Sequence, residues 1–299
     1  MDEQERESAQ AVAKYQPKNL DRIDDLGISA VDLLRHLPGV VQVEITVIAN
    51  HPTHRLIHLR NWHFVPKYLY AIDLKSAHGR ELSDQEIDDL YQELLLEVEA
   101  VQLEQMALLR CLIKYHGLKR IYCEGLTAKD VANYQDRIAV LQDMEKNQIT
   151  ELRKQLAEVR DLVKGMEETG RTETERYDKA KEMVAEITGM LDQHNVHLLE
   201  LGAPGRLLIA GEIEAVLPLD DADLLEQARP IAPGGKTKFD PAKLKARRDG
   251  QVKAVLANGV FGLIVLGGSH VLSDSVRRLG KGRCEYLRVT TRQFKKLSE

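Results

Sequence analysis

GLIVLGGSHVLSDSV (residues 262–276) contains a short apolar run that stops at two glycines and is followed at once by a histidine. The run from Leu263 to Leu266 predicts a buried strand. Gly267 and Gly268 permit a tight turn and a close approach of backbone to other groups. The stretch therefore places the ionisable ring of His270 just beyond the carboxyl end of a strand.

Two further apolar strands end in the same way. RLIHLR (55–60) precedes His63, and KRIYC (119–123) is followed by Glu124. In sheets with parallel strands, ligands bind at the carboxyl ends of the strands, where the loops converge. If the three strands are parallel neighbours, two histidines and one carboxylate meet in one crevice. Such a set holds a divalent metal ion or supplies a general base, so His63, Glu124 and His270 are candidate metal ligands and catalytic residues.

Each of these residues, taken alone, also has an ordinary structural explanation. His270 fits a turn histidine bonded to backbone, His63 a half-buried ring beside Trp62, and Glu124 a helix-capping carboxylate. Their separations along the chain match no local metal-binding motif. The prediction of a shared site therefore depends on the recurrence of the strand-end pattern.

A fourth candidate, Arg248, lies on the helix that begins at the Asp240-Pro241 pair, an N-cap followed by a first-turn proline. The predicted inner face of that helix consists of Leu244, Arg248, Val252 and Val255. This spacing predicts that Arg248 points inward and that Arg247 points away. An inward arginine needs an anionic partner, either a substrate carboxylate or oxyanion or Glu124. The alternative is an arginine near the helix start whose side chain extends to water.

The order of the remaining elements predicts an α/β fold. VVQVEITVIA (40–49) alternates like a strand, and a capping box at Ser83 and Glu86 opens a long helix before KRIYC. Strand, long helix, strand and again helix, strand is typical of a compact mixed or largely parallel sheet flanked by helices.

The middle of the chain predicts an inserted antiparallel helical hairpin at residues 131–195. Apolar residues step in a 4-3 pattern up to Met166, Gly170 interrupts it, and the pattern returns from Tyr177. Ordinary amphipathic helices packed on the core are the alternative. The predicted division of the chain is an N-terminal helical segment (1–39), a first half of the α/β domain (40–130), the hairpin (131–195) and a second half (196–299).

Composition narrows the classes of partner. The net charge is −5 with both signs mixed along the chain, which argues against a general nucleic-acid surface. No apolar run reaches membrane-spanning length. The cysteine count of three is odd and the spacing is not that of a metal site, which indicates a reduced, cytoplasmic setting unless a leader has been removed.

These residues together resemble the Tiki/TraB superfamily, which includes ChaN-like haem-uptake proteins and erythromycin-esterase-like proteins. That superfamily is marked by two G-x-x-H motifs, a strand-end glutamate and an arginine before the second motif. Gly267 to His270 matches the second motif, Glu124 the glutamate and Arg248 the arginine. The first motif departs from the pattern, because Arg60 stands where the family has glycine three residues before His63.

The resemblance implies a hydrolase, with or without a divalent metal ion, that acts on a peptide bond or an ester or lactone bond of a small-molecule or peptide substrate. In this role Glu124 is general base or metal ligand, His63 and His270 bind metal or polarise water, and Arg248 holds an anionic group. One alternative is a haem- or cofactor-binding protein without turnover. Another is an interaction scaffold in which the helical arm binds a protein partner or a second copy of the chain.

Overall fold

The computed structural model describes residues 30–49, 52–78, 82–228, 240–259 and 261–299, with no account of the side chains of 75–78. Its strands are β1 (Val40–Val47), β2 (His54–Asn61), β3 (Arg120–Thr127), β4 (Ala215–Asp220), β5 (Phe261–Gly267) and β6 (Cys284–Thr291). Its α-helices are α1 (Ala30–Arg35), α2 (Lys67–His78), α3 (Asp84–His116), α4 (Val131–Met144), α5 (Thr150–Glu168), α6 (Glu175–Ile209), α7 (Ala222–Gln227), α8 (Pro241–Ala257), α9 (Ser273–Gly280) and α10 (Arg292–Ser298). Most of the predicted N-terminal segment 1–39 lies outside the described residues.

The strands form one six-stranded sheet in the order β1-β6-β2-β5-β3-β4. Only the edge pair β1 and β6 is antiparallel, and the other four pairs are parallel. The predicted α/β fold with a largely parallel sheet is confirmed. The strands that precede His63, His270 and Glu124 are β2, β5 and β3, which are parallel neighbours as the shared-site prediction required.

Helices cover the sheet because its inner strands β2 and β5 are buried over most of their length. β5 is buried at every residue after Phe261, and β2 is buried from Arg55 to Leu59, as is typical of parallel strands that are covered on both faces. Helices α8 and α9 contact each other, and α8 also contacts β4 and β5. Helices α3 and α10 contact each other, and both also contact β6. No helix in the described ranges is both long and apolar enough to cross a membrane.

Local sequence signals set the ends of the long helix α3 and of α8. Ser83 and Glu86 form the predicted reciprocal capping box, and Gly117 ends α3 in a left-handed conformation with a φ of 66°. Asp240 caps α8 by accepting hydrogen bonds from two backbone amides of its first turn. Both ends of α3 and the start of α8 therefore lie where these capping residues predict them.

The chain divides into two compact units. One contains the sheet, and the other is Asn133–Leu201, formed from α4, a π-helix at Glu145–Ile149, α5 and most of α6. Side chains on the two arms of this second unit pair in reverse order along the chain: Arg137 with His197, Glu145 with His194, and Glu167 with Tyr177. The arms are therefore antiparallel, and Gly170 takes a φ of 68° in the connection between them.

Candidate functional site

His63, Glu124 and His270 meet at the carboxyl edge of the sheet. The Nε2 atom of His63 lies 3.0 Å from Oε2 of Glu124, and Nε2 of His270 lies 3.0 Å from Oε1. One donor atom from each residue falls within 4.8 Å of the other two. The predicted convergence of these three side chains is confirmed, and we call them the His-Glu-His cluster.

The ends of the strands explain how Glu124 enters the cluster. The pairing of β3 with β5 stops at Cys123 opposite Val265, whereas β5 continues to Gly267. The backbone N–H of Gly267 would be left without a strand partner on that side. It donates instead to Oε2 of Glu124 at 2.7 Å, so the carboxylate occupies the gap between the two strands.

A glycine at position 267 leaves room for the ring of His63, which a larger residue would displace. A Cβ atom there would lie 2.1 Å from Nε2 of His63, well inside contact distance. A Cβ on Gly268 would lie 2.0 Å from the ring of Phe294. Neither glycine has a positive φ among those recorded, so the requirement is the close approach of side chains and not an unusual backbone conformation.

The arginine that contacts Glu124 is Arg247, so the prediction that Arg247 points away was wrong, and no contact of Arg248 with Glu124 is found among the described residues. The guanidinium of Arg247 donates from Nη2 to Oε1 of Glu124 at 2.9 Å and from Nε to Oδ1 of Asp220 at 2.7 Å. Helical spacing from Val252 and Val255 is compatible with either arginine facing inward. Gln251, one turn after Arg247, and Val252, one turn after Arg248, are both 0% exposed, so burial along the helix does not distinguish the two arginines.

Asp220 is a member of the site that the sequence analysis missed. Its side chain is 0% exposed, and it accepts hydrogen bonds from Arg247, from Nε2 of Gln251 and from the backbone N–H of Gly125. Asp220 is the last residue of β4, so it follows the same strand-end pattern as His63, Glu124 and His270. That pattern was available in the sequence LPLDD (217–221) and was not applied there.

Glu124 is held as an anion. Burial alone would raise the pKa of this carboxyl, but the hydrogen bonds and positive charge of His270 and His63 hold the pKa well below its usual range. Burial would lower the pKa of His63, yet its hydrogen bond and charge interaction with Glu124 leave that pKa raised. The imidazole of His63 therefore favours a proton on the nitrogen that faces the carboxylate.

Arg247 alone does not balance the two buried carboxylates. Glu124 and Asp220 carry two negative charges, and Arg247 supplies one positive charge between them. An uncompensated charge at this depth is unfavourable by several kcal/mol, on the order of 3–5. Either a proton on one of the histidines or a bound metal ion restores neutrality.

The donor set of the cluster fits a divalent metal ion. Two imidazoles and one carboxylate are the protein ligands of many catalytic zinc sites, and the same set binds other divalent metals. The nitrogen–oxygen separations of 3.0 Å need only a small widening to place each donor at the usual zinc distance of about 2.0–2.2 Å. The side chain of His63 is 47% exposed, so the cluster is open to solvent on that side.

His58 supports the turn that carries His270. It is fully buried on β2, its Nε2 donates to the carbonyl of Leu266 at 2.9 Å, and its Nδ1 accepts from the hydroxyl of Tyr286 at 2.8 Å. Burial lowers the pKa of His58 to about 3, so the ring is neutral. His58 therefore holds the backbone just before Gly267 through these two hydrogen bonds and is not a ligand of the cluster.

Arg60, which stands at the glycine position of the first family motif, is directed away from the carboxylate. Its guanidinium lies over the ring of Phe294 at 4.5 Å and donates to the hydroxyl of Thr290 at 3.3 Å. The edge of the same Phe294 ring contacts Trp62. The substitution therefore does not remove His63 from the cluster.

Comparison with known proteins identifies no family for this chain. No protein-family model, no curated protein and no solved structure matches the chain. The class that the fold and the site define is an α/β sheet protein with a His-Glu-His cluster at the carboxyl edge of its parallel strands. The likeness to the Tiki/TraB superfamily stays a prediction from the motifs of this chain.

Proposed function

We propose that the chain is a hydrolase of the Tiki/TraB and erythromycin-esterase-like type, cleaving a peptide bond or an ester or lactone bond at a divalent metal ion held by His63, Glu124 and His270. The observation that carries this proposal is the meeting of three metal-competent donors at the carboxyl edge of the sheet. Ligand sites of parallel sheets lie at this edge.

The residues of the site have separate tasks in this reaction. A metal ion held there would polarise the substrate carbonyl and lower the pKa of a water molecule. Glu124 receives four donors, two on each oxygen, so it is fixed in position as an anion. Arg247 donates a hydrogen bond to Glu124 and is itself held by Asp220, so it is a positioning residue and not a contact for substrate.

The same function has a metal-free form that the hydrogen bonds also support. Because Glu124 already accepts a full set of donors, it orients the two imidazoles and does not take up a proton. His63 then presents its Nδ1 as the free acceptor, and its half-exposed ring can take a proton from an attacking water. Activity that survives complete removal of metal would favour this form.

The metal proposal predicts binding that depends on both histidines. Untagged protein stripped with a chelator should take up one equivalent of Zn²⁺ or Mn²⁺, measured by calorimetry and elemental analysis. His63→Ala and His270→Ala should each weaken that binding by at least about 100-fold, since loss even of an indirect partner costs 10–100-fold. His54→Ala is the control, because His54 begins β2 at the opposite end of the strand and bonds to Thr53.

The same samples test the other candidates. Hydrolysis of a panel of peptides, esters and lactones should appear with added metal and disappear in both histidine variants. A Soret absorption band in the purified protein, lost in His63→Ala or His270→Ala, would replace the hydrolase proposal with the haem-binding alternative. Equal metal binding by wild type and both variants would contradict the metal site itself.

A second candidate function, an interaction role for the helical unit, is favoured by its exposed apolar side chains. These are Val140, Leu162, Met183 and Met190. On helices with this much charge, such residues are typical of a surface that packs against another helix. We propose a second copy of the chain as the partner, and light scattering at several protein concentrations tests it. A monomer at all concentrations would contradict it.

We also propose a reducing, cytoplasmic setting. Cys111, Cys123 and Cys284, all within the described ranges, form no disulfide bond. Burial raises the pKa of Cys123 to about 12 and that of Cys284 to about 11, so both stay as thiols and neither acts as a nucleophile. Cysteines without a disulfide bond fit a compartment that does not form disulfides.

A further inference from the structure

A basic pocket of about 580 Å³ opens between α8 and α9, next to the His-Glu-His cluster along the chain. It is lined by Lys245, Arg248, Val271, Asp274, Ser275, Arg277 and Arg278. Arg248 directly follows Arg247, and Val271 directly follows His270. Helix α8 therefore places Arg247 at Glu124 and Arg248 in the pocket, and the loop before α9 places His270 in the cluster and Val271 in the pocket.

The charge of this pocket is not neutralised by the protein. Four cationic side chains and one carboxylate line it. Arg277 pairs with Asp274 and also donates to the carbonyl of Thr46, and Arg278 pairs with Asp249, outside the lining. Neither Lys245 nor Arg248 has a carboxylate partner within the part of the chain that the structure describes.

Lys245 and Arg248 form a matched pair of donors. They are three residues apart on α8, so they lie on the same face of the helix, and both line the pocket. A lysine ammonium and an arginine guanidinium together present several N–H donors, which is the arrangement that oxyanions bind. The whole chain has a net charge of −5, so a positive pocket of this kind is a local feature and not part of a generally basic surface.

We propose that the basic pocket binds an oxyanion, a phosphate or a carboxylate group, carried by the substrate at a distance from the bond that is cleaved. The assignment of the group to a substrate rests on the proposed hydrolase function, whereas anion binding itself does not. Arg248 thus has the anion-binding role that the sequence indicated, but in this pocket instead of beside Glu124. The substrate class becomes an anionic acyl compound, held at one end by α8 and α9.

Titration calorimetry tests the pocket without reference to catalysis. Wild-type protein is titrated with inorganic phosphate and, separately, with acetate, in the presence of EDTA so that no metal ion captures either anion. One of the two anions should bind with one site per chain, and the stronger of them identifies the chemistry of the group. Arg248→Ala and Lys245→Ala should each weaken binding by roughly tenfold or more, as expected for loss of a charge-assisted hydrogen bond.

The control variants separate the two proposals. Lys243→Ala removes an exposed cation of α8 that does not line the pocket, and it should leave anion binding unchanged. His270→Ala should lose metal binding and keep anion binding, so failure of the hydrolase function does not imitate failure of the pocket. Lys245 is exposed, which keeps its variant folded if Arg248→Ala proves unstable. Anion binding that is absent from wild type, or unchanged in Lys245→Ala and Arg248→Ala, would overturn the proposal.

Discussion

Replacement of Arg247 by methionine should lower the free energy of unfolding by roughly 3–5 kcal/mol, the usual effect of breaking a buried ion pair from one side. Arg247 bridges Asp220, which is 0% exposed, and Glu124, which is 11% exposed. Methionine fills similar space but leaves both carboxylates without their shared cation. Urea unfolding followed by the fluorescence of Trp62 measures the effect, since Trp62 is the single tryptophan and lies at the end of β2 against Phe294.

The effect of Arg247→Met should depend on pH in a defined direction. Hydrogen bonds from His270 and His63 depress the pKa of Glu124 in the folded protein, so the stability that its anion contributes is present above the unfolded value of about 4.3 and is lost as the pH falls. Loss of the Arg247 cation should raise the pKa of the folded-state carboxyls. A carboxyl that has lost its cation can neutralise itself with a proton. The difference in stability between wild type and variant should therefore be largest near pH 7–8 and should shrink as the pH approaches about 5.

Arg248→Met is the matched control on the same helix. Arg248 has no carboxylate partner in the described ranges, so its replacement should change the free energy of unfolding by under about 1 kcal/mol. Arg247→Lys should fall between the two, because a lysine keeps the charge but cannot bridge Asp220 and Glu124 with a planar fork. Equal stability of the Arg247 and Arg248 methionine variants would show that the buried ion pairs do not hold the site together.

The sequence predicted the sheet and three members of the site because both depend on local pattern. Buried parallel strands are continuous apolar runs, and a polar residue at the end of such a run can be recognised in the sequence. Once β2, β5 and β3 are adjacent, the ends of the three strands bring His63, His270 and Glu124 together. No property of the individual residues was needed for that inference.

The members that were missed depend on information that a local pattern does not contain. Helical periodicity is compatible with either of two adjacent residues facing inward. Only the contacts with the buried carboxylates of Asp220 and Glu124 distinguish Arg247 from Arg248. The π-helix at Glu145–Ile149 adds one residue to a turn and leaves no mark in a 4-3 spacing. For Arg247 the deciding interaction comes from residues that are distant along the chain.

The second large effect is expected from Gly267→Ala, which should weaken metal binding at the cluster by at least about 100-fold, as for loss of a ligand. The added Cβ would lie 2.1 Å from Nε2 of His63, so the imidazole has to leave Glu124. Alanine keeps the backbone N–H that Glu124 accepts, so the variant isolates the steric effect of one methyl group. Because the ring of His63 is half-exposed, it can turn into solvent, and stability should fall by under about 1 kcal/mol.

Gly262→Ala, on the same strand, should lower stability and leave metal binding unchanged, which is the reverse of what is expected for Gly267→Ala. A Cβ at Gly262 would lie 2.1 Å from the side chain of Val255 in the core, so overpacking should cost about 1–3 kcal/mol while metal binding is unchanged. The double variant Gly267→Ala with His63→Ala should bind metal no more weakly than His63→Ala alone, because the methyl group acts only through that ring. If the losses of metal affinity in the two single variants add in the double variant, Gly267 affects metal binding through something other than the ring of His63. That result would contradict the steric explanation for the glycine.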